Sequence, residues 1–235
     1  FAETVKAKTS GRVEIQVAHS AQLGDDAAMV TALRSGTLDF SANSQGAVSS
    51  TVPEFAALGM PFLFADVQKA WSVMDSAIGK ELGEKAAAKG LVLLGLWDNG
   101  IRQMSNSKRP IKSPADMKGL KYRTVGISID VFTGMGAAVN ALPGGEIVPA
   151  IDRGLLDGAE FNNASSDRIL GFPDVSKICM LQSYHQNAEQ FEIMFNKAKF
   201  DALPAKMKAI IENAVEAASQ DVVWKSIDRY SKDYV

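Results

Sequence analysis

The stretch KSPADMKGLKYRTVG (residues 112–126) holds the start of a helix, a glycine stop and a short apolar strand. Ser113 is a residue type favoured at helix N-caps, and Pro114 suits the first helical position. Gly119 then fits the end of the helix. The strand LKYRT follows and places a guanidinium, that of Arg123, at its end. A helix that leads directly into a strand is typical of α/β domains.

Strands and helices alternate on both sides of this stretch. Period-2 patterns predict strands in GRVEIQV (11–17) and TLDFSAN (37–43), and helical spacing predicts helices in DDAAMVTALRSG (25–36) and across residues 67–89. LVLLGLW (91–97) is a nearly continuous apolar run, as expected for a parallel strand that is covered on both faces. The sequence therefore predicts an α/β fold with mostly parallel sheets flanked by helices.

The C-terminal segment predicts one long helix. From Pro204 almost to the C-terminus, apolar residues recur at helical spacing along a single stripe. A helix of about 30 residues is roughly 45 Å long, because each residue adds 1.5 Å. We expect such a helix to lie across two small domains.

Composition excludes several classes of protein. Apolar residues make up 46% of the 235-residue chain, charged residues 22%, and the net charge is −2. This mild acidity argues against nucleic-acid binding, which needs a concentrated excess of Lys and Arg. No apolar run approaches the roughly 20 residues that a membrane-spanning helix requires. The single cysteine, Cys179, has apolar neighbours, so we expect a buried thiol.

The sequence carries no strong enzyme motif. It has two histidines, His19 and His185, without metal-ligand spacing between them, and it lacks HExxH, paired CxxC, Walker and GxSxG motifs. Two arginines remain as candidates for binding: Arg123 ends one strand, and Arg102 follows LVLLGLW. Ligands of open parallel sheets bind beyond the carboxyl ends of the strands, and a guanidinium there can hold a carboxylate through two parallel bonds. The alternative for each arginine is an ion pair at the surface.

Four segments in order resemble one known family. GRVEIQVAHSAQLGDDAAMVTALRSGTLDFSA (11–42), MPFLFADVQKAW (60–71), RQMSNSKRPIKSPADMKGLKYR (102–123) and IVPAIDRGLLDGAEF (147–161) are similar to the periplasmic substrate-binding proteins of TRAP (tripartite ATP-independent periplasmic) transporters. The resemblance covers nearly the whole chain, and SKRPIKSPADMKGLKYR is its most specific part. These carriers deliver small organic acids to a membrane permease.

The resemblance implies two α/β domains joined by crossing strands, with the long helix spanning both behind the hinge. The first domain would comprise residues 1–101 and about 187–225, the second 102–186 and about 226–235. The ligand would bind in the cleft between them. Arg123 would be the carboxylate clamp of the family and Arg102 its usual second arginine. Other side chains expected to line the pocket are Asn140, Phe161, Asn163, Phe62 and Trp97.

DGAEFNN (157–163) is similar to the branch that binds 2-oxo acids and lactate, in which this segment helps to hold a metal ion beside the substrate. Glu160, the carbonyl of Phe161 and the amide of Gln186 would then be oxygen ligands, a set that suits Na⁺ or Ca²⁺. The chain has Phe161 where that branch has tryptophan, and Arg102 where it often has glutamine. An arginine can balance charge in place of the ion, so no cofactor would be required. The alternative for Glu160 is an ion pair with one of the arginines.

The resemblance implies a periplasmic solute-binding protein that is not an enzyme, acts with TRAP permease subunits, and is a monomer or a homodimer. The expected first strand, the tail beyond the long helix and a signal peptide are absent from this sequence, so we expect a chain truncated at both ends. Two other functions stay open on the same scaffold. One is an enzyme that processes small acids with Glu160 or His185 as base, and the other is a ligand-sensing domain.

Overall fold

The computed structural model describes residues 1–18, 22–100, 104–106, 109–180, 186 and 188–233. The chain divides into two compact units, and each is made of several segments. The first unit comprises Phe1–Phe55, Gln68–Asp98 and Gln190–Lys225. The second comprises Ala56–Val67, Asn99–Glu189 and Ser226–Val235.

Helices and strands alternate along the whole chain. The helices are α1 (Ala2–Lys8), α2 (Asp26–Ser35), α3 (Gln45–Ser49), α4 (Val67–Met74), α5 (Ala77–Ala88), α6 (Ser128–Gly134), α7 (Gly144–Asp152), α8 (Ala164–Leu170), α9 (Phe172–Val175), α10 (Lys197–Ala202) and α11 (Ala205–Asp233). The strands are β1 (Phe40–Ser44), β2 (Leu91–Gly100), β3 (Met104–Asn106), β4 (Lys121–Arg123), β5 (Ala138–Asn140), β6 (Gly158–Glu160), β7 (Ile178–Met180) and β8 (Glu189–Asn196). Two 3₁₀ helices span Pro53–Gly59 and Pro114–Met117.

The first unit is built on a sheet of three strands in the order β1-β8-β2. β1 runs antiparallel to β8, with Phe40 opposite Phe195. One face of this sheet packs on α1, α10 and α11 through a core cluster of Val5, Phe195, Phe200, Ile211 and Ala214. The ring of Phe1 stacks on that of Phe40 with 5.1 Å between centroids. The N-terminal helix is thereby tied to the sheet.

The second unit is built on a sheet of five strands in the order β5-β4-β6-β3-β7. β4 runs parallel to both β5 and β6, whereas β3 runs antiparallel to β6 and to β7. Four strands of this sheet therefore point the same way and β3 opposes them. The α/β class and the helix-flanked, mostly parallel sheet that the sequence predicts are confirmed here. Apolar clusters around Tyr122 and around Ala159 form the cores of this unit.

Two predicted elements differ from the structure. The helix predicted across residues 67–89 is two helices, α4 and α5, and Ser76 caps the second by accepting a hydrogen bond from the amide of Ile78. Gly79 permits this break, because a Cβ there would lie 1.8 Å from the carbonyl oxygen of Met74. GRVEIQV forms no strand, since its residues pair with no strand of the described sheets. Val13 and Ile15 nevertheless pack against the core of the first unit.

Cys179 is exposed, so the expectation of a buried thiol was wrong. It lies in β7, the edge strand of the second sheet, where alternate side chains face outward even though the neighbouring residues are apolar. The single long helix at the C-terminus is confirmed as α11, which has 29 residues. Among the described residues no helix combines the length and the hydropathy needed to cross a membrane.

Candidate functional site

The candidate site is built around β4 in the second unit. β4 lies between β5 and β6, and its last residue, Arg123, is in register with Asn140 on one side and Ala159 on the other. Asp157 fixes this register, because its amide donates to the carbonyl of Lys121 at 2.7 Å and its carboxyl accepts from the amide of Lys121 at 3.0 Å. The position of the guanidinium is therefore set by a parallel ladder rather than by a loop.

Arg123 is buried, with 5% of its surface exposed. Its Nε donates to the carbonyl of Leu142 at 2.8 Å, and its Nη1 donates to the carbonyl of Glu160 at 2.8 Å. Both acceptors are neutral backbone groups, and together they hold the plane of the guanidinium in one orientation. The arrangement presents a fixed, poorly hydrated positive charge at the end of a strand.

An aromatic ring lies against this charge. The guanidinium carbon of Arg123 is 5.7 Å from the centroid of the Phe161 ring, within the range of a cation–π contact. The ring also approaches the start of α7, where a Cβ added to Gly144 would come within 2.5 Å of it. Gly144 therefore provides the space that the Phe161 ring occupies. The neighbouring Gly145 has open space at the same position.

Glu160 and Thr124 form a buried polar pair beside the arginine. Both residues are 0% exposed, and the hydroxyl of Thr124 donates a short hydrogen bond to the carboxyl of Glu160. The carbonyl of Glu160 meets Arg123, as described above, so this residue contacts the site through both its backbone and its side chain. Gln186, the other side chain expected as a metal ligand, is half-buried in the same unit. No cluster of three or more His, Cys, Asp or Glu suited to a metal occurs within the described residues.

The other side chains expected in the pocket have different surroundings. Asn140 is exposed at the end of β5. Asn163 is the N-cap of α8, where its side chain accepts from the amide of Ser166 and donates to Asn162. Phe62 is 73% exposed and has a positive φ of 62°. Trp97 lies in the first unit, and its indole nitrogen donates to the carbonyl of Val215 at 3.3 Å.

The structure brings Arg123 together with Glu160 and with the ring of Phe161. Arg102 and His185 lie outside the described residues. Sequence reasoning missed the roles of Leu142, Thr124 and Gly144. Leu142 acts through its backbone carbonyl, a role that any residue type could fill and that the sequence therefore does not indicate. Thr124 directly follows KYR, and its position next to a strand-end arginine was the signal that could have identified it.

A family model now accounts for the order of the segments along the chain. The model for bacterial extracellular solute-binding proteins, family 7, matches residues 1–235. The chain belongs to this family. The resemblance to the TRAP periplasmic substrate-binding proteins is thereby confirmed.

Individual members of the family 7 group show how far the likeness extends. An uncharacterized protein of Sinorhizobium fredii is 48% identical over 169 residues, which cover 71% of this chain and 31% of that protein. The 2,3-diketo-L-gulonate-binding periplasmic protein YiaO of Escherichia coli K12 is 31% identical over 224 residues, covering 93% of this chain and 67% of that protein. The chain thus spans less than a third of the length of the first relative and about two thirds of the second.

A solved structure has the same fold. The crystal structure of a TRAP periplasmic solute-binding protein from Sulfitobacter sp. NAS-14.1, with bound β-D-galacturonate, matches with a TM-score of 0.93 and 28% sequence identity. The match covers 99% of this chain and 77% of that one. YiaO and the Sulfitobacter protein are both solute-binding proteins.

Proposed function

We propose that this chain is the solute-binding part of a TRAP transport system and captures a small organic acid through Arg123. The observation that carries the proposal is the buried guanidinium of Arg123, held by the carbonyls of Leu142 and Glu160. Burial keeps water away from this charge, which strengthens its attraction to an anion. A carboxylate is the ligand that a planar guanidinium binds best, through two parallel charge-assisted bonds.

Sugar acids are the class of ligand that we favour over small monocarboxylic acids such as pyruvate and lactate. YiaO and the Sulfitobacter protein, two of the relatives, bind 2,3-diketo-L-gulonate and β-D-galacturonate, each of which carries one carboxylate and several hydroxyls. In this chain Asn140 is exposed and in register with Arg123, so its amide is available to a hydroxyl of an acid held by the arginine. The ring of Phe161, which lies against the guanidinium of Arg123, offers an apolar surface to the same ligand. Asn163, Phe62, Trp97 and Arg102 remain secondary candidates for the pocket.

We further propose that binding needs no metal ion. The positive charge beside the ligand is supplied by Arg123, and the carboxyl of Glu160 is engaged by the hydroxyl of Thr124. A bridging Na⁺ or Ca²⁺, with oxygens from Glu160, Phe161 and Gln186, would instead make acid binding depend on the cation. Titrations of the protein with the acid, carried out in a chelator, in Na⁺ and in Ca²⁺, distinguish binding without a metal ion from binding through one. Equal affinity in all three supports the arginine alone, and binding lost in the chelator supports the ion.

The cellular role follows from the family. Family 7 proteins are extracellular, and both YiaO and the Sulfitobacter protein are periplasmic, so we place this chain in the periplasm as the partner of a TRAP permease. The chemistry supports capture without turnover, because the carboxyl of Glu160 is buried and engaged by Thr124 rather than facing a nucleophile. A small-acid enzyme is the second candidate. An NMR spectrum of the acid before and after incubation separates the two, since a binding protein leaves the acid unchanged.

A calorimetric panel tests the proposed ligand class. We would titrate the protein with galacturonate, glucuronate, galactonate, lactate, pyruvate and succinate. The account predicts that one or more sugar acids bind at least about tenfold more tightly than the three small acids, a difference of about 1.4 kcal/mol. Tightest binding of pyruvate or lactate would place the chain with the 2-oxo acid branch. Absence of binding by every carboxylate would contradict the proposed function.

A further inference from the structure

A second surface, distant in sequence from the Arg123 site, forms a groove of about 900 Å³ within the first unit. Its floor is the apolar strand β2, with Val92 and Leu94 among the lining residues. One wall is α5, where the residues at helical spacing are small. The other wall is α11, which contributes Val215, Ser219 and two acidic residues, Glu212 and Glu216. The groove is therefore open, apolar along its base and bounded by two helices.

The rim of the groove is acidic. Five carboxylates and two lysines line it, so it carries three net negative charges, whereas the whole chain carries two. Asp201 is paired with Lys197 at 2.5 Å. Glu84, Glu212 and Glu216 form no ion pair within the part of the chain that the structure describes. Glu212 and Glu216 are also four residues apart on one helix, a spacing at which like charges repel. The groove thus concentrates uncompensated negative charge around an apolar base.

Gly83 in the middle of α5 has no explanation within the chain. Glycine is less favourable than alanine in a helix interior because it loses more backbone entropy on folding. A Cβ added to Gly83 would meet no atom within 4 Å, and its φ is not in the left-handed region. By contrast, a Cβ at Gly79, one turn earlier, would collide with the carbonyl of Met74. Gly83 lines the groove, so the space above it is available to an external chain.

We propose that this groove binds a basic amphipathic helix of a partner protein. The apolar face of such a helix would cover Val92 and Leu94, its lysines or arginines would meet Glu84, Glu212 and Glu216, and its backbone would approach Gly83 closely. Helix-in-groove recognition uses this combination of apolar anchors and flanking charges. Charge complementarity selects this occupant over an acidic or neutral segment. The inference stands apart from the proposed function, because it involves no residue of the Arg123 site.

An 18-residue Leu/Lys peptide with helical spacing, labelled with fluorescein, is the probe for this groove. We expect fluorescence anisotropy to show saturable binding that weakens as salt rises, and no binding of the matched Leu/Glu peptide.

Two substitutions of Gly83 test the groove directly. Gly83→Leu fills the groove and Gly83→Ala leaves it open. We therefore expect Gly83→Leu to weaken binding of the Leu/Lys peptide about tenfold or more and Gly83→Ala to change it less than about twofold.

Charge reversal on α5 supplies a second matched pair. Glu84→Lys removes a rim carboxylate, whereas Glu81→Lys makes the same change at an exposed position of α5 outside the groove. The proposal predicts weaker peptide binding for Glu84→Lys alone. Equal affinity of all four variants and the parent for the Leu/Lys peptide would overturn it. So would a parent dimer that Gly83→Leu converts to a monomer, because a second copy would then occupy the groove.

Discussion

The surroundings of Arg123 are the basis for proposing it as the group that binds the acid. An exposed arginine in water contributes little, because solvent screens its charge and its side chain loses entropy when it is held. Burial to 5% exposure removes most of that screening, and two carbonyl acceptors fix the orientation before any ligand arrives. The side-chain entropy of Arg123 is therefore lost when the protein folds and not when the ligand binds. A bound carboxylate gains the interaction without that cost.

Gly144 gives a prediction at the same scale. Gly144→Ala would push the ring of Phe161, which lies against the guanidinium, because the new methyl group would fall 2.5 Å from a ring carbon. We expect the affinity for the bound acid to fall about three- to tenfold, a change of about 0.7–1.4 kcal/mol. Gly145→Ala is the matched control, since its Cβ meets open space. Equal losses of affinity in the two variants would show that the position of the ring is unimportant.

The elements that carry the site were predictable from sequence, but their contacts were not. KSPADMKGLKYR revealed Ser113, Pro114 and the strand that ends in Arg123, and the structure has all three, with a 3₁₀ helix in place of an α-helix. The break between α4 and α5 was missed because it depends on the absence of a Cβ at one glycine. GRVEIQV was expected to form a strand because its apolar and polar residues alternate. This alternation indicates which side chains are buried but not whether the segment pairs with another strand. A local sequence pattern thus identifies helices and strands, whereas the pairing of strands depends on residues that are distant in the sequence.

Asp116 offers a test at the scale of the element. Its carboxyl accepts hydrogen bonds from the amides of Lys112 and Ser113, at 3.0 and 2.8 Å, and from the hydroxyl of Ser113. The bond from the amide of Lys112 is the largest cause that lowers the pKa of Asp116, followed by the two bonds from Ser113. A lowered folded-state pKa means that the stabilisation is complete above the unfolded value, about 3.9, and is lost as the pH falls through the folded value.

We therefore expect Asp116→Asn to lower the thermal midpoint at pH 7 and to differ progressively less from the parent as the pH falls from about 5 toward 2. Circular dichroism melts across this pH range measure the effect. Asp130→Asn, in the first turn of α6, is the matched control at an exposed aspartate. A difference between parent and Asp116→Asn that stays constant over the whole range would show that the capping bonds do not depend on the charge.

At the scale of the whole molecule, the sequence predicted more of the family than of the site. The order of segments identified the solute-binding family, and the 29-residue helix α11 was expected because apolar residues recur at helical spacing from Met207 to Ile227. Arg123 was proposed as a binding residue because it ends a strand, and ligands of parallel sheets bind at that end. The carbonyl of Leu142, the acidic groove and the exposed thiol of Cys179 were not foreseen. Each depends on which segments meet after folding, and no local pattern encodes that.

The most direct test of the account is a calorimetric titration of Arg123→Lys with the sugar acid that binds the parent most tightly. A lysine keeps the charge but cannot reproduce the planar fork, so we predict a loss of about 1.5–3 kcal/mol, or roughly tenfold or more in affinity. Arg153→Lys is the control, because Arg153 is an exposed arginine of the same unit that also donates from Nε to a carbonyl. A melt of each variant verifies that it is folded. An affinity of folded Arg123→Lys within about twofold of the parent would contradict the assignment of Arg123 as the carboxylate anchor.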